Sequence, residues 1–333
     1  MSKTIKFGRI ILVVTLTVFF MVAYYFQPKT NDPLAHYAYA DNHNRKAIID
    51  NLSTQEIEYI VDNDIKPNEF MDFMVYDNFI IQNTKEYSKL SESISQAPNL
   101  IVDYVNLAKQ KDTYDTYAAY ASKYALTDLI QWYQEGDKYA EGSTLVSNPD
   151  SLDLTLDGTH TLYRYEPSDL EEVTALSTTI TTTIKLRKEA NEALGQMCTL
   201  AKEELGGDCG GLIGVSGYKS YDTQVTEYDQ KLLIYGPTKV YRYILFPGHN
   251  EEQTGLTIEL SSSSLVNEVF AKSTQYQWLK DNAYKFGFIL RYPADASYQT
   301  RMDNYNQLRY VGTDLAKTIQ QTNAPLEEAG KGL

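Results

Sequence analysis

The 333-residue sequence predicts an α+β protein, and three observations carry that prediction. Ile184 to Leu205 places Leu186, Ala190, Leu194, Met197, Ala201 and Leu205 at three- and four-residue steps, the pattern of a helix with one buried stripe. Leu256 to Leu260 alternates apolar and polar residues after a Gly-containing turn, the pattern of a half-buried strand. The helical and strand-like stretches do not follow one another in the βαβ order that a parallel sheet requires, which points to helices with an antiparallel sheet.

The chain begins with an uncharged run from Ile10 to Phe26, preceded by Lys3, Lys6 and Arg9. Its 17 residues are long and apolar enough to cross a bilayer, with the basic end cytoplasmic. A cleaved signal peptide is the competing reading, because Ala38-Tyr39-Ala40 has small residues at cleavage-site spacing. That site lies 14 residues past the apolar run, so an uncleaved anchor is preferred, with the bulk of the chain extracellular.

After a polar tether, Asn42 to Asn63 reads as two helical stretches, the second opened by the capping-box pair Ser53 and Glu56 ahead of Ile57 and Ile60. Pro67 ends it. The Tyr-rich stretch to Tyr139 offers Leu100 to Val105 as its clearest strand and Ser122 to Tyr133 as a helix. Gly136 to Gly158 is rich in Gly, Ser, Asn and Asp, which marks a domain boundary. Beyond the Ile184–Leu205 helix, ended by Gly206-Gly207, come a strand at Leu212 to Val215 and a helix at Tyr221 to Tyr235. The strand at Leu256 to Leu260 precedes a helix at Thr274 to Phe286, capped by Ser273 and closed by Gly287. Phe288 to Tyr292 and Leu308 to Val311 supply two more strands, Asp314 to Gln321 a closing helix, and Thr178 to Thr183 a β-branched edge or loop. The resulting plan is 1–27 anchor, 28–158 tether and accessory region, 159–323 principal domain and 324–333 tail.

A net charge of -14 argues against nucleic acid or an anionic membrane as the main partner of the chain as a whole. The 28 Tyr residues fit core and rim aromatics better than a dedicated binding surface. Cys198 and Cys209 either form one disulfide or remain two thiols. Two Cys and four His leave little for a soft-metal site.

Pro247 to Leu260 reads Pro-Gly-His-Asn-Glu-Glu-Gln-Thr-Gly-Leu-Thr-Ile-Glu-Leu, and it resembles the signature of the VanY-type D-alanyl-D-alanine carboxypeptidases, zinc enzymes that trim peptidoglycan stem peptides. Val215-Ser216-Gly217-Tyr218-Lys219-Ser220-Tyr221-Asp222-Thr223-Gln224, Trp278 to Pro293 and Leu308-Arg309-Tyr310-Val311-Gly312 are similar to further blocks of that family, in the same order. The resemblance implies a D-Ala-D-Ala carboxypeptidase/hedgehog-like domain. It also implies that the family's zinc-ligand positions are here Glu252, Glu259 and Gln307, and that the position of its catalytic Glu is Asn304. Substrate contact falls to Ser216, Tyr218, Lys219, Ser220 and Gln224, with Lys219 in place of the family's Arg. The Tyr-rich arm is similar to the region preceding the catalytic domain in membrane-anchored members.

Glu252, Glu259 and Gln307 offer oxygen alone, a set suited to Ca²⁺ or Mg²⁺ and poor for tetrahedral zinc. With Asn304 there is no carboxylate at the proton-shuttling position. His160 and His249 lie away from the expected ligand positions. The expectation is therefore a membrane-anchored extracytoplasmic pseudoenzyme without a zinc cofactor, binding a peptidoglycan stem peptide or a cell-envelope protein. A carboxypeptidase with unusual metal ligands is the rival, and a scaffold acting through the accessory region is a third reading.

Overall fold

The computed structural model describes residues 32–111, 117–179, 183–262, 267–296 and 304–330. The predicted membrane span at Ile10 to Phe26 lies outside the described residues, and among those described no helix is long and apolar enough to cross a membrane. Part of the Thr-rich stretch, 180–182, is outside them as well. Two compact units divide between Asn106 and Leu107.

The first unit holds helices α1 (Arg45–Asn51), α2 (Thr54–Asp62), α3 (Pro67–Phe70), α4 (Thr84–Ser93) and most of α5 (Pro98–Gln110). Ser53 and Glu56 form the capping box that starts α2, and Ile57 and Ile60 enter a core with Leu34, Ile48 and Phe70. The predicted strand at Leu100 to Val105 is instead the middle of α5. Ile101, Val102, Tyr104, Val105 and Ala108 are all fully buried, and a short apolar run with no exposed face has no periodicity to separate helix from strand.

The second unit continues with α6 (Tyr117–Ala121), α7 (Leu126–Glu135), β1 (Thr144–Leu145), β2 (His160–Thr161), β3 (Leu170–Glu172), β4 (Ser177–Thr178) and β5 (Lys185–Arg187). It then runs through α8 (Lys188–Leu205), β6 (Ile213–Ser216), α9 (Tyr221–Tyr235), β7 (Thr257–Ser261), α10 (Asn267–Phe270), α11 (Thr274–Asn282), β8 (Phe288–Leu290), β9 (Gln307–Tyr310), α12 (Thr313–Thr322) and α13 (Leu326–Ala329). The helix predicted from Ile184 begins only at Lys188, because Lys185 to Arg187 pairs antiparallel with Leu170 to Glu172. A strand and the first turn of a helix each bury Leu186, so the apolar stripe does not show where one ends.

The principal sheet has five strands in the order β4-β6-β7-β9-β8, antiparallel as expected except at the β4–β6 edge, which is parallel. Ala190, Leu194, Met197 and Ala201 of α8 join Ile258 and Leu260 of β7, Leu308 and Tyr310 of β9 and Leu279 of α11 in one core. Cys198 and Cys209 are bonded as a disulfide tying α8 to the 3-10 turn Asp208–Gly211. Because side chains alternate along a strand, Ile258 and Leu260 facing the core require Glu259 to face the other way, and Leu308 and Tyr310 require the same of Gln307 and Arg309. That opposite face carries the candidate site.

Candidate functional site

The sheet register fixes the floor of the site. Ser216 pairs with Glu259 and Glu259 with Gln307, so three side chains from β6, β7 and β9 form one row across the strands. Neighbours in such a row stand about 5 Å apart at Cβ. The loop that resembles the family signature arches over them. Gly248 adopts φ +85 there, and a Cβ on it would lie 2.5 Å from Thr161 Oγ1, so only glycine allows the loop to close on β2. Asn250 then caps the 3-10 turn Glu251–Thr254, accepting from the Glu252 backbone N–H at 3.1 Å.

These elements enclose a cavity of about 210 Å³ whose lining includes Lys219, Glu227, Glu252, Glu259, Asn304 and Gln307. The four residues that the resemblance sets at ligand and catalytic positions thus line one cavity. Glu252 is buried, and its carboxylate accepts from Ser216 Oγ at 3.1 Å and from Asn250 Nδ2 at 2.6 Å. The Lys219 ammonium lies 3.4 Å from Glu252 and donates to Glu227 at 3.1 Å. Asn304 Nδ2 donates to Glu259 at 2.7 Å.

Burial pushes the Glu252 carboxyl up to about 7; Lys219 opposes this shift and the nearby Glu259 charge adds to it. Burial also weighs against the Lys219 ammonium, but Glu252, Glu227 and Glu259 outweigh it and hold its pKa above the usual lysine range. Lys219 is thereby committed as a counter-ion to carboxylates of its own chain.

The donor set does not fit the zinc that the resemblance implies. Glu252, Glu259 and Gln307 supply oxygen alone, the His249 imidazole that also lines the cavity is bonded to Asp137 and the Asp157 carbonyl, and the Lys219 ammonium lies against Glu252. Among the described residues no three His, Cys, Asp or Glu side chains are grouped so as to hold a metal ion. No chemical step through a metal follows from this arrangement.

The residues expected to meet substrate divide by position. Lys219 lines the cavity beside Glu252, whereas Ser216 is bonded to Glu252 from behind that lining. Ser220 caps α9, accepting from the Thr223 backbone N–H at 3.2 Å. Gln224 is buried, donates to Gln253 Oε1 at 2.8 Å and accepts from the Gly248 N–H at 3.1 Å, so it braces the signature loop. Tyr218 has its hydroxyl oxygen buried with no hydrogen-bond partner among the described residues, and burial raises its pKa, with Glu166 and Asp222 adding to the effect.

Of the two histidines, His160 is exposed and lies 3.0 Å from Asp157. His249 is buried at the loop, with Nε2 3.3 Å from Asp137 and Nδ1 3.1 Å from the Asp157 carbonyl. Asp137 escapes the sequence reading because it lies over a hundred residues from its partner. Glu251 escapes too, although it is held by Nε and Nη2 of Arg291, at 3.0 and 2.9 Å. Glu227 carried a usable signal: it follows Gln224 by three positions on α9, which places both on one face of the helix.

A family model described as VanY, D-alanyl-D-alanine carboxypeptidase, matches residues 183–313. The chain is 37% identical over 208 residues to the putative carboxypeptidase YodJ of Bacillus subtilis, covering 60% of this chain and 74% of that protein. It is 33% identical over 129 residues to a D-alanyl-D-alanine carboxypeptidase of Enterococcus faecalis, covering 35% of this chain and 46% of that one. Among solved structures it is similar to the LdcB LD-carboxypeptidase, whose structure reveals the molecular basis of peptidoglycan recognition, with 35% identity and a TM-score of 0.52 over 58% of this chain and 92% of that one. On the extent of these matches, the chain belongs to the VanY-type D-alanyl-D-alanine carboxypeptidase family.

Proposed function

We propose that this protein is a membrane-anchored, extracytoplasmic member of its carboxypeptidase family that binds peptidoglycan stem peptides without hydrolysing them. The observation that carries this reading is the occupation of the cleft floor by Glu252, Glu259, Asn304 and Gln307, with Lys219 paired to Glu252 and Asn304 paired to Glu259. A hydrolytic site needs an activated water and a group to move its proton. Here the amide of Asn304 neither takes nor gives a proton at neutral pH, and Glu252, whose carboxyl is pushed up to about 7, is bonded to Ser216, Asn250 and Lys219 of its own chain. Peptide binding is supported by the family's substrate class, by the LdcB similarity, and by Lys219 standing at the open cavity. The Ile10 to Phe26 run supports the anchor.

The test is metal analysis of the purified full chain together with a pentapeptide assay in Zn²⁺, Mn²⁺, Mg²⁺ and Ca²⁺. Binding of the peptide by calorimetry with no release of D-alanine is the expected result. Stoichiometric metal with D-alanine release would establish instead a carboxypeptidase using an all-oxygen site.

A further inference from the structure

We propose that the tip formed by residues 231–243 is a surface that lies against a phospholipid bilayer carrying anionic headgroups. Gln230 to Asn250 contains Lys231, Lys239 and Arg242 and not one Asp or Glu, in a chain whose formal charge is -14. The local charge is thus opposite in sign to that of the protein as a whole. Within the same tip, Leu233 and Ile234 are 89% and 69% exposed, and Tyr241 and Tyr243 are 58% and 53% exposed.

The exposure is built into the helix. Tyr221, Gln224 and Tyr228 define the buried face of α9, and at 100° per residue Leu233 and Ile234 point well away from it. Gly236 ends the helix with φ +72, and buried Val240 holds the returning chain in place. The Tyr235 and Tyr243 rings stack at 3.8 Å, and the Arg242 guanidinium sits 5.7 Å from the Tyr241 ring centroid. An ordered tip therefore presents aliphatic side chains flanked by tyrosines and cations.

That combination matches the boundary between headgroups and acyl chains, where aliphatic groups enter, tyrosines sit with one wet end, and each Lys or Arg gains from anionic lipid. An anionic wall polymer would engage the cations but offers nothing to Leu233 and Ile234. A sugar would stack on Tyr241 and Tyr243 and leave both the charge and the aliphatics unexplained. Lys231 and Tyr243 also line the cavity, so bilayer contact at this tip sets the mouth of the cleft near the headgroups. The surface itself does not depend on whether the cleft binds or cuts a peptide.

The sequence holds two cysteines and these are bonded to each other, so Ile234→Cys gives a unique thiol for an environment-sensitive fluorophore. The labelled full chain is reconstituted in nanodiscs of phosphatidylcholine alone, or of phosphatidylcholine with phosphatidylglycerol at about 7:3, each with spin-labelled lipid as quencher. Lys317→Cys, exposed on α12, reports quenching due to tethering alone. The expected result is a blue shift and stronger quenching at position 234 than at 317, greater in the anionic discs and reduced about fivefold by Lys239→Glu with Arg242→Glu in a variant shown folded by circular dichroism. Equal quenching at the two positions overturns the proposal. So does protection of the 234 label by self-association or by lipid-free wall sacculi.

Discussion

Glu259 on β7 and Gln307 on β9 stand opposite each other in register, on the face of the sheet turned away from its core. The pairing places the floor of the cleft on two rigid strands, so its composition can change without moving its backbone. This makes the cleft chemistry reversible in principle.

A variant carrying Glu252→His, Glu259→Asp, Asn304→Glu and Gln307→His is therefore expected to bind zinc more tightly than the parent. Binding should outrun turnover, because the guanidinium expected at Lys219 and the surrounding hydrogen bonds would still be missing. Isothermal titration with zinc checks this on protein shown folded by circular dichroism. Zinc affinity no greater than the parent's would mean that the four positions do not converge as the fold places them.

Glu252 predicts a pH dependence of stability. An acid whose folded pKa lies above its unfolded value favours the folded state in its protonated form, so this contribution is complete below about 4.5 and lost as pH rises through about 7. The loss is at most on the order of 3 kcal/mol. Glu252→Gln stays neutral while keeping an acceptor for Ser216, so it should flatten the slope of urea-unfolding stability between about pH 5 and pH 8. An unchanged slope would show that Glu252 is ionised throughout.

Arg291 holds Glu251 by two hydrogen bonds in a buried position, and it reaches Glu327 as well. Arg291→Leu leaves Glu251 buried without its counter-ion, which should cost roughly 3–5 kcal/mol. In the double variant with Glu251→Gln the orphan charge is gone, so stability should recover in part. Denaturant titrations of both single variants and the double variant complete the cycle, and strict additivity would contradict this account.

Cys198 and Cys209 are 11 residues apart in sequence, so their bond closes a short loop. Replacing both with Ser should lower stability by about 2–3 kcal/mol through release of the unfolded chain. Comparison of urea midpoints with and without reductant should give the same loss in the parent and none in the variant.

Local pattern sufficed where one physical signal was unambiguous. The capping box at Ser53 and Glu56, the N-cap at Ser273 and the stop at Gly287 are short-range hydrogen-bond and backbone requirements, and the structure shows each in place. The family resemblance was equally legible because the motif blocks are contiguous in sequence.

By itself the sequence determined the α+β class, the family and the residue types at the cleft floor. Tertiary structure alone decided that Leu100 to Val105 is helix, since burying Ile101, Val102, Tyr104 and Val105 satisfies either geometry and only their neighbours choose. It decided that Lys185 to Arg187 is strand, because β3 offered a partner. It also decided that Gln224 braces Gly248 and Gln253, that His249 meets Asp137 and that Lys219 is bound by Glu227 and Glu252. Each of these depends on a distance between groups remote in the chain, and only folding brings such groups within hydrogen-bond reach.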